Sequence, residues 1–278
     1  MGFDTSIPLG KETDYQFEYN PTLLFPIARK MGRDVIGIEG NNLPFQGFDR
    51  WTAFELSWLN PQGRPEQAIA EFDFACTAPN IIESKSFKLY LNSFNQSQFS
   101  SLDEVLGLLE KDLSAASGEA VTVKLLEVNS YPRSLINKAA FIQLDHLAVG
   151  CSVYDVDASL LTLTEEKTEE TDVFSFDGFR SLCPVTSQPD WASVYIHTQG
   201  RRLSQAALLQ YLVSFRNHQG FHEQCVEQIF NDLNALGHFK QLTVYARFLR
   251  RGGLDINPIR SNQPLDSLLA LMPVIDRQ

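Results

Sequence analysis

Ser181-Leu182-Cys183-Pro184-Val185-Thr186-Ser187-Gln188-Pro189-Asp190-Trp191 is a proline-bounded loop that opens near a thiol and ends in an acid and an aromatic. A thiolate is the strong nucleophile among side chains, but near its ordinary pKa of about 8.5 only a few per cent is ionised at neutral pH. A proton acceptor or a positive field must assist, and Asp190 is the nearest acid that the loop could fold back. The same letters also suit a core thiol at Cys183 and a turn residue at Asp190, since most cysteines are small buried residues.

Glu83-Ser84-Lys85-Ser86-Phe87-Lys88-Leu89-Tyr90 opens a helix with a carboxylate, two hydroxyls and two cations. Backbone N–H groups at a helix start, joined by such side chains, make a seat for an anion such as a nucleotide phosphate. A capped amphipathic helix with solvated lysines fits equally. Gly220-Phe221-His222-Glu223-Gln224-Cys225 begins another helix. There a carboxylate could accept the adjacent N–H donors of a guanine-type edge while Phe221 stacks on the ring, or the acid could simply sit at a helix N-terminus. His218, His222 and Cys225 could bind zinc, but no fourth ligand is evident and no metal is assigned. Arg247, Arg250, Arg251 and Arg260 surround Gly252-Gly253 with only Asp255 opposing them, a basic island able to hold phosphates. No G-x-G-x-x-G follows a strand, which argues against a Rossmann domain.

These segments need elements to carry them, and the elements repeat. Tyr90-Leu91-Asn92-Ser93-Phe94 recurs as Tyr211-Leu212-Val213-Ser214-Phe215 at an offset of 121 residues. Phe87, Tyr90, Leu91 and Phe94 share the spacing of Leu208, Tyr211, Leu212 and Phe215, so each half offers an amphipathic helix with one apolar stripe. A second helix follows in each, with Leu102, Leu106, Leu109 and Leu113 in the first and Val226, Ile229, Phe230 and Leu233 in the second. Strands flank both pairs. Ala68, Ala70, Phe72 and Phe74 alternate before the first pair and Val121, Val123 and Leu125 after it. Trp191 to Thr198 alternates before the second pair, and Leu242, Val244, Ala246 and Phe248 after it, with Tyr245 and Arg247 on the other face. That order predicts an α+β fold, an antiparallel sheet with two helices on one face in each of two modules. The stretch Glu165 to Glu170 suits a solvated connector or a charged turn within one domain, and the boundary is set near residue 150.

With 44% hydrophobic residues and 20 phenylalanines the chain can build a large core. Its 34 acids exceed its 23 bases, and the net charge of −11 argues against a nucleic-acid partner. No apolar run would cross a bilayer, and the N-terminus mixes Asp4, Lys11, Glu12 and Asp14, so no membrane association is expected and the chain is placed in the cytoplasm. Met1-Gly2 with Ser6 matches only the loose myristoylation pattern and is set aside. Cys76, Cys151, Cys183 and Cys225 lack a C-x-x-C pair and are expected as reduced thiols.

In their order and spacing these segments resemble one family, the NADPH-dependent 7-cyano-7-deazaguanine reductases, in their long two-module form. These nitrile reductases serve queuosine biosynthesis, a tRNA modification pathway. The resemblance covers nearly the whole chain. It rests on Glu83 to Tyr90, on the Cys183-Pro184 to Asp190-Trp191 loop, on Phe221-His222-Glu223, and on Arg250-Arg251-Gly252-Gly253-Leu254-Asp255-Ile256-Asn257-Pro258. It implies tandem tunnelling-fold modules, residues 1–150 with the signature and 151–278 with the cysteine, and active sites between modules. Open sheet edges and split sites point to a homodimer at least. The resemblance further implies that Cys183 attacks the nitrile carbon to form a thioimide, that Asp190 handles the protons and that His222 shields or polarises the imine. Ile82, Glu83, Ser84, Phe221, His222 and Glu223 would bind 7-cyano-7-deazaguanine, and Ser84, Lys85, Arg251 and Gly252 would contact NADPH. Leu59 falls near the place where a cysteine would repeat, and Ser187 stands where the family often has glycine. Two other classes stay open on the residues alone: a zinc-dependent cyclohydrolase on the same fold, and a non-catalytic module that binds a purine.

Overall fold

In chain order the elements are β1 (Pro26–Ala28), α1 (Lys30–Val35), β2 (Gln46–Leu59), β3 (Pro65–Ala75), β4 (Asn80–Ile82), α2 (Ser84–Asn92), α3 (Leu102–Ser117), β5 (Val121–Leu126), β6 (Ile142–Gln143), β7 (Glu169–Leu182), β8 (Pro189–Arg201), α4 (Gln205–Ser214), α5 (His222–Asn234), β9 (Phe239–Phe248) and β10 (Leu254–Ser261). This computed structural model describes residues 17–39, 42–131, 141–166 and 168–264. Met1, Gly2, Asp4, Ser6, Lys11, Glu12, Asp14 and Lys167 lie outside them. Among the described residues no helix is long and apolar enough to cross a membrane. The fold is α+β, and the chain forms two units. The first comprises residues 1–31, 48–132 and 250–255, the second residues 32–47, 133–249 and 256–278.

In the first unit the strands run in the order β5-β3-β2, antiparallel throughout. The stripe expected on α2 is buried: Phe87 sits against Trp51 and Phe72 with ring centroids 5.0 and 5.1 Å away. In the second unit β10-β9-β8-β7 is likewise antiparallel, and the short β6 pairs parallel with β7 at the edge. Phe215 packs on Phe179 there, 5.4 Å between centroids. Tyr90 donates to Asp112 at 2.8 Å, and Tyr211 donates to Asp232 at 2.6 Å, so each helix pair is joined by the same tyrosine–aspartate bond. Tyr19 also bonds to Asp112. Ser93 and Ser214 each bond back to that tyrosine's carbonyl. The repeat is therefore structural as well as sequential.

Three expectations change. Leu102 is 48% exposed, and α3 instead buries Val105, Leu109, Leu113 and Asp112, the last tolerated because tyrosine hydroxyls satisfy it. Glu169 and Glu170 begin β7 rather than forming a connector, and Glu169 pairs with Lys240 at 2.5 Å. The basic island does not stand as read. Arg247 is buried with its Nη1 on the Tyr245 hydroxyl at 3.1 Å, and Arg260, fully buried, is bound by Glu227.

That last contact belongs to a buried triad in the second unit. Glu227 on α5 accepts from Arg33 at 2.7 and 2.9 Å and from Arg260 at 2.8 and 3.1 Å, with Phe45 near both guanidinium groups. Asn231 on the same helix donates to the Ile36 carbonyl at 3.0 Å. Arg33, Ile36 and Phe45 thus lie along α5, whose first turn carries His222 and Glu223.

Glu227→Leu leaves two guanidinium groups buried without their carboxylate, and is expected to destabilise the fold by about 3–5 kcal/mol in urea melts. A loss under about 1 kcal/mol would remove the triad from the account of stability. Burial holds the pKa of His197 and of His218 below the ordinary imidazole range. A depressed histidine adds stability above its unfolded pKa and loses it as pH falls, so the melting temperature should decline as pH drops through about 6.5. A flat profile there would contradict it.

Candidate active site

The end of the β7–β8 hairpin is held by backbone bonds. Leu182 lies opposite Pro189 and Ser181 opposite Asp190. One step further, the Cys183 N–H donates to the Gln188 carbonyl at 2.8 Å, and the Ser187 N–H to the Cys183 carbonyl at 3.0 Å. Side chains two apart on a strand share a face, so Ser181 and Cys183 face the same way as Asp190, the cross-strand partner of Ser181. Cys183 and Asp190 are then diagonal neighbours, a relation whose typical spacing is about 7–8 Å, somewhat less between Cβ atoms. Both are buried. Ser187 has φ +54°, the left-handed region where glycine is favoured, and it is the one non-glycine so placed among the described residues. Gln219 donates to its hydroxyl at 2.9 Å, a contact that glycine could not offer.

The N-terminus of α5 meets this hairpin end. The Leu182 N–H donates to the His218 carbonyl at 2.8 Å, and the Gly220 N–H donates to the Leu182 carbonyl at 3.2 Å. From that turn His222 reaches Asp190, Nε2 to Oδ2 3.5 Å. Its ring lies flat on Phe248, and its Nδ1 is buried with no protein partner among the described residues. Glu223 is buried and Phe221 partly exposed. The Phe221 N–H is capped by Gln224 Oε1 at 3.1 Å.

Behind them lies Cys225, fully buried. Burial pushes its thiol up to about 12; Ser181 opposes the rise, and the charges of Asp190 and Glu223 add to it. These contacts put Ser181, Asp190, Glu223 and Cys225 in one neighbourhood, with Cys225 a neutral thiol. Among the described residues no three of His, Cys, Asp and Glu are grouped to hold a metal ion. His218 turns towards Gly220 and Cys225, whereas His222 turns to Asp190.

Ile82, Glu83, Ser84, Lys85, Arg251 and Gly252 belong to the first unit. Ile82 is buried at the end of β4. The Glu83 carboxylate caps α2, accepting the Lys85 N–H at 2.7 Å and the Ser86 N–H at 2.8 Å. Two donors that the sequence left for an outside anion are therefore occupied by the chain's own acid. Gly252 and Gly253 turn the chain at φ +59° and +81°. The Lys88 side chain lies against Gly252, about where a Cβ would stand, with Nζ 3.5 Å from that point. Lys85 and Lys88 on α2 and Arg251 in the turn thus bring cations to one region. Arg250 is stacked over Phe54 at 3.4 Å.

Each unit serves as a control for the other. Ser204 caps α4 where Glu83 caps α2, so the fold needs a cap there but not a charge. The hairpin end recurs in the first unit: Leu59 lies opposite Pro65, and the Asn60 N–H donates to the Arg64 carbonyl at 2.9 Å. Asn60 therefore stands at the place of Cys183, one residue past Leu59, and Glu66 at that of Asp190. Asn60 Nδ2 donates to Glu66 Oε1 at 2.9 Å, so this diagonal pair makes contact in the copy that lacks the thiol. Leu102 and Asp103, both exposed, replace His222 and Glu223. Lys88, Ser181 and Phe248 were not singled out from the sequence for the site. Only Lys88 had a signal, as the second cation of the octapeptide.

Residues 15–125 match a family model described as nitrile reductase, 7-cyano-7-deazaguanine-reductase N-term, and residues 189–266 one described as QueF-like protein. A Burkholderia ambifaria protein named NADPH-dependent 7-cyano-7-deazaguanine reductase is 49% identical over 93% of this chain and 94% of its own. A protein of that name from Paraburkholderia phymatum is 51% identical over 92% of this chain and 93% of its own. With likeness of that extent along nearly the full length of both chains, the protein belongs to the NADPH-dependent 7-cyano-7-deazaguanine reductase family.

Proposed function

We propose that this chain reduces the nitrile of 7-cyano-7-deazaguanine to 7-aminomethyl-7-deazaguanine through a covalent thioimide on Cys183, as a step of queuosine biosynthesis. The observation that carries the reading is the shared face of Cys183 and Asp190, with His222 3.5 Å from the acid. The first unit keeps the scaffold of that arrangement without the thiol, the imidazole or the buried acids.

A nitrile resists direct hydride attack, whereas a C=N bearing sulfur, once protonated, accepts it. Sulfur of Cys183 bonds to the nitrile carbon, one C–N π bond breaks, and the thiol proton passes by way of Asp190 to nitrogen, giving the thioimide. NADPH, when bound, supplies a hydride in each of two reductions. After the first, the C–S bond breaks, sulfur regains a proton and an imine remains. His222, with Nε2 beside Asp190 and Nδ1 buried without a protein partner among the described residues, shields that imine until the second reduction and a further proton yield the amine.

Glu223 would accept paired N–H donors of the deazaguanine edge, with Phe221 against the ring. Glu83 would bind substrate as well, its Oε2 keeping a lone pair after capping α2. Ile82 and Ser84, next to Glu83, would contact substrate too. The cofactor's anionic phosphates would be met in the first unit by Ser84, Lys85, Arg251 and the backbone at Gly252, against which Lys88 lies. A signature module to about residue 150, a cysteine module from 151, and at least a homodimer in the cytosol belong to the same reading.

Cys183→Ala is expected to abolish NADPH oxidation in the presence of 7-cyano-7-deazaguanine, and full activity would end the proposal. Asp190→Ala should still bind substrate by calorimetry while kcat falls by about 100-fold or more; turnover at the wild-type rate would remove Asp190 from the chemistry. Glu223→Gln should raise KM by about 10-fold or more, the worth of hydrogen bonds to a charged group, and an unchanged KM would free the edge of the substrate from that acid.

Folded-state burial retains the Cys225 proton. Its stabilisation is complete below the ordinary thiol range and is lost as pH climbs towards about 12. Cys225→Ala should therefore flatten the alkaline limb of the melting temperature, and an unaltered limb would contradict this.

A further inference from the structure

His222 and Phe248 lie face to face, ring centroids 3.8 Å apart and planes 1° from parallel. Neutral aromatic pairs favour offset or edge-on contacts. Phe248 itself follows that rule with Phe179, which it meets at 88°. A full-face stack departs from that preference, so the two rings are held in it by the elements that carry them. It also fixes the plane of the imidazole, so that Nε2 stays 3.5 Å from Asp190 Oδ2 while the buried Nδ1 has no protein partner among the described residues.

Phe248 is well placed to do this. It has no exposed surface, and its N–H donates to Asn257 Oδ1 at 3.2 Å. The first unit lacks the pair. Following the register that sets Ile69 opposite Leu126 and Ala192 opposite Phe248, its counterpart is Glu127, which is exposed, and α3 begins with the exposed Leu102. The α+β scaffold stands there without a ring at either position, so the stack is not a demand of the fold.

We propose that Phe248 is a positioning residue for the reduction: it sets the plane of His222 so that one ring nitrogen addresses Asp190 and the other the reacting C=N group. This rests on the covalent reading above. Phe248→Leu is expected to lower kcat by about 10–100-fold with KM within about 3-fold, the pattern of an interaction made in the transition state. Phe248→Tyr keeps the ring and should recover most of the rate. In a His222→Ala background Phe248→Leu should cost nothing further, because the ring then has no imidazole to hold.

Additive losses in that cycle, or Phe248→Leu at the wild-type rate while His222→Ala is slow, would overturn this inference alone. His222→Ala at the wild-type rate would overturn both the role of His222 in the covalent reading and the inference built on it. Phe248→Met, of similar volume but without a ring, replaces the leucine variant in the same cycle should that variant not fold.

Discussion

The hydrogen bond from the Cys183 amide to the Gln188 carbonyl extends the β7–β8 ladder by one step beyond its last strand pair. Without it the loop could slip, and a slip of one residue would turn every side chain at the hairpin end to the opposite face. Held in register, Ser181, Cys183 and Asp190 look the same way, towards the turn from which α5 begins. The two backbone bonds between Leu182 and the His218–Gly220 turn then lock that helix start to the hairpin. An acid and an imidazole meet there, 3.5 Å apart, and the register sets Cys183 on the acid's face of the hairpin.

The duplicated scaffold shows what the fold requires and what chemistry adds. Tyr90 with Asp112 and Tyr211 with Asp232 tie the helix pairs alike, and serines bond back to both tyrosines. The departures are polar. Glu83 replaces a serine cap in one unit, while Cys183, Asp190, His222 and Glu223 replace asparagine, glutamate, leucine and aspartate in the other. Burying such groups costs stability unless each has a partner, and sites that break local rules in this way are where function is found. In the second unit the Arg33–Glu227–Arg260 triad and the bond from Asn231 to the Ile36 carbonyl brace α5.

Much of this was legible in the residues. The period of the apolar stripes gave both helix pairs, because Phe87, Tyr90, Leu91 and Phe94 and their copies are core residues with little other choice. The two- and three-residue strands β1, β4 and β6 are too short to show a pattern, and three long strands were not legible for other physical reasons. β2 and β7 each contain a bulge, between Ala53 and Leu56 and between Phe176 and Phe179, which breaks the phase of alternation. β10 is buried at every position, so it shows no alternation at all, and it contains Pro258. The α3 stripe was misread at Leu102 because Asp112, a buried acid, sits where an apolar residue would be sought. Site residues stood out by type, yet Phe248 did not, since a phenylalanine closing an alternating strand looks like core until its ring is seen flat against His222.

Whether Cys183 bonds to the nitrile carbon can be read by intact-protein mass spectrometry after incubation with 7-cyano-7-deazaguanine in the absence of NADPH. A covalent thioimide adds the whole mass of the nitrile to the peptide that contains Cys183, and Cys183→Ala gains nothing. Unmodified wild-type protein, or an adduct on another residue such as Cys225, would end the covalent route through Cys183.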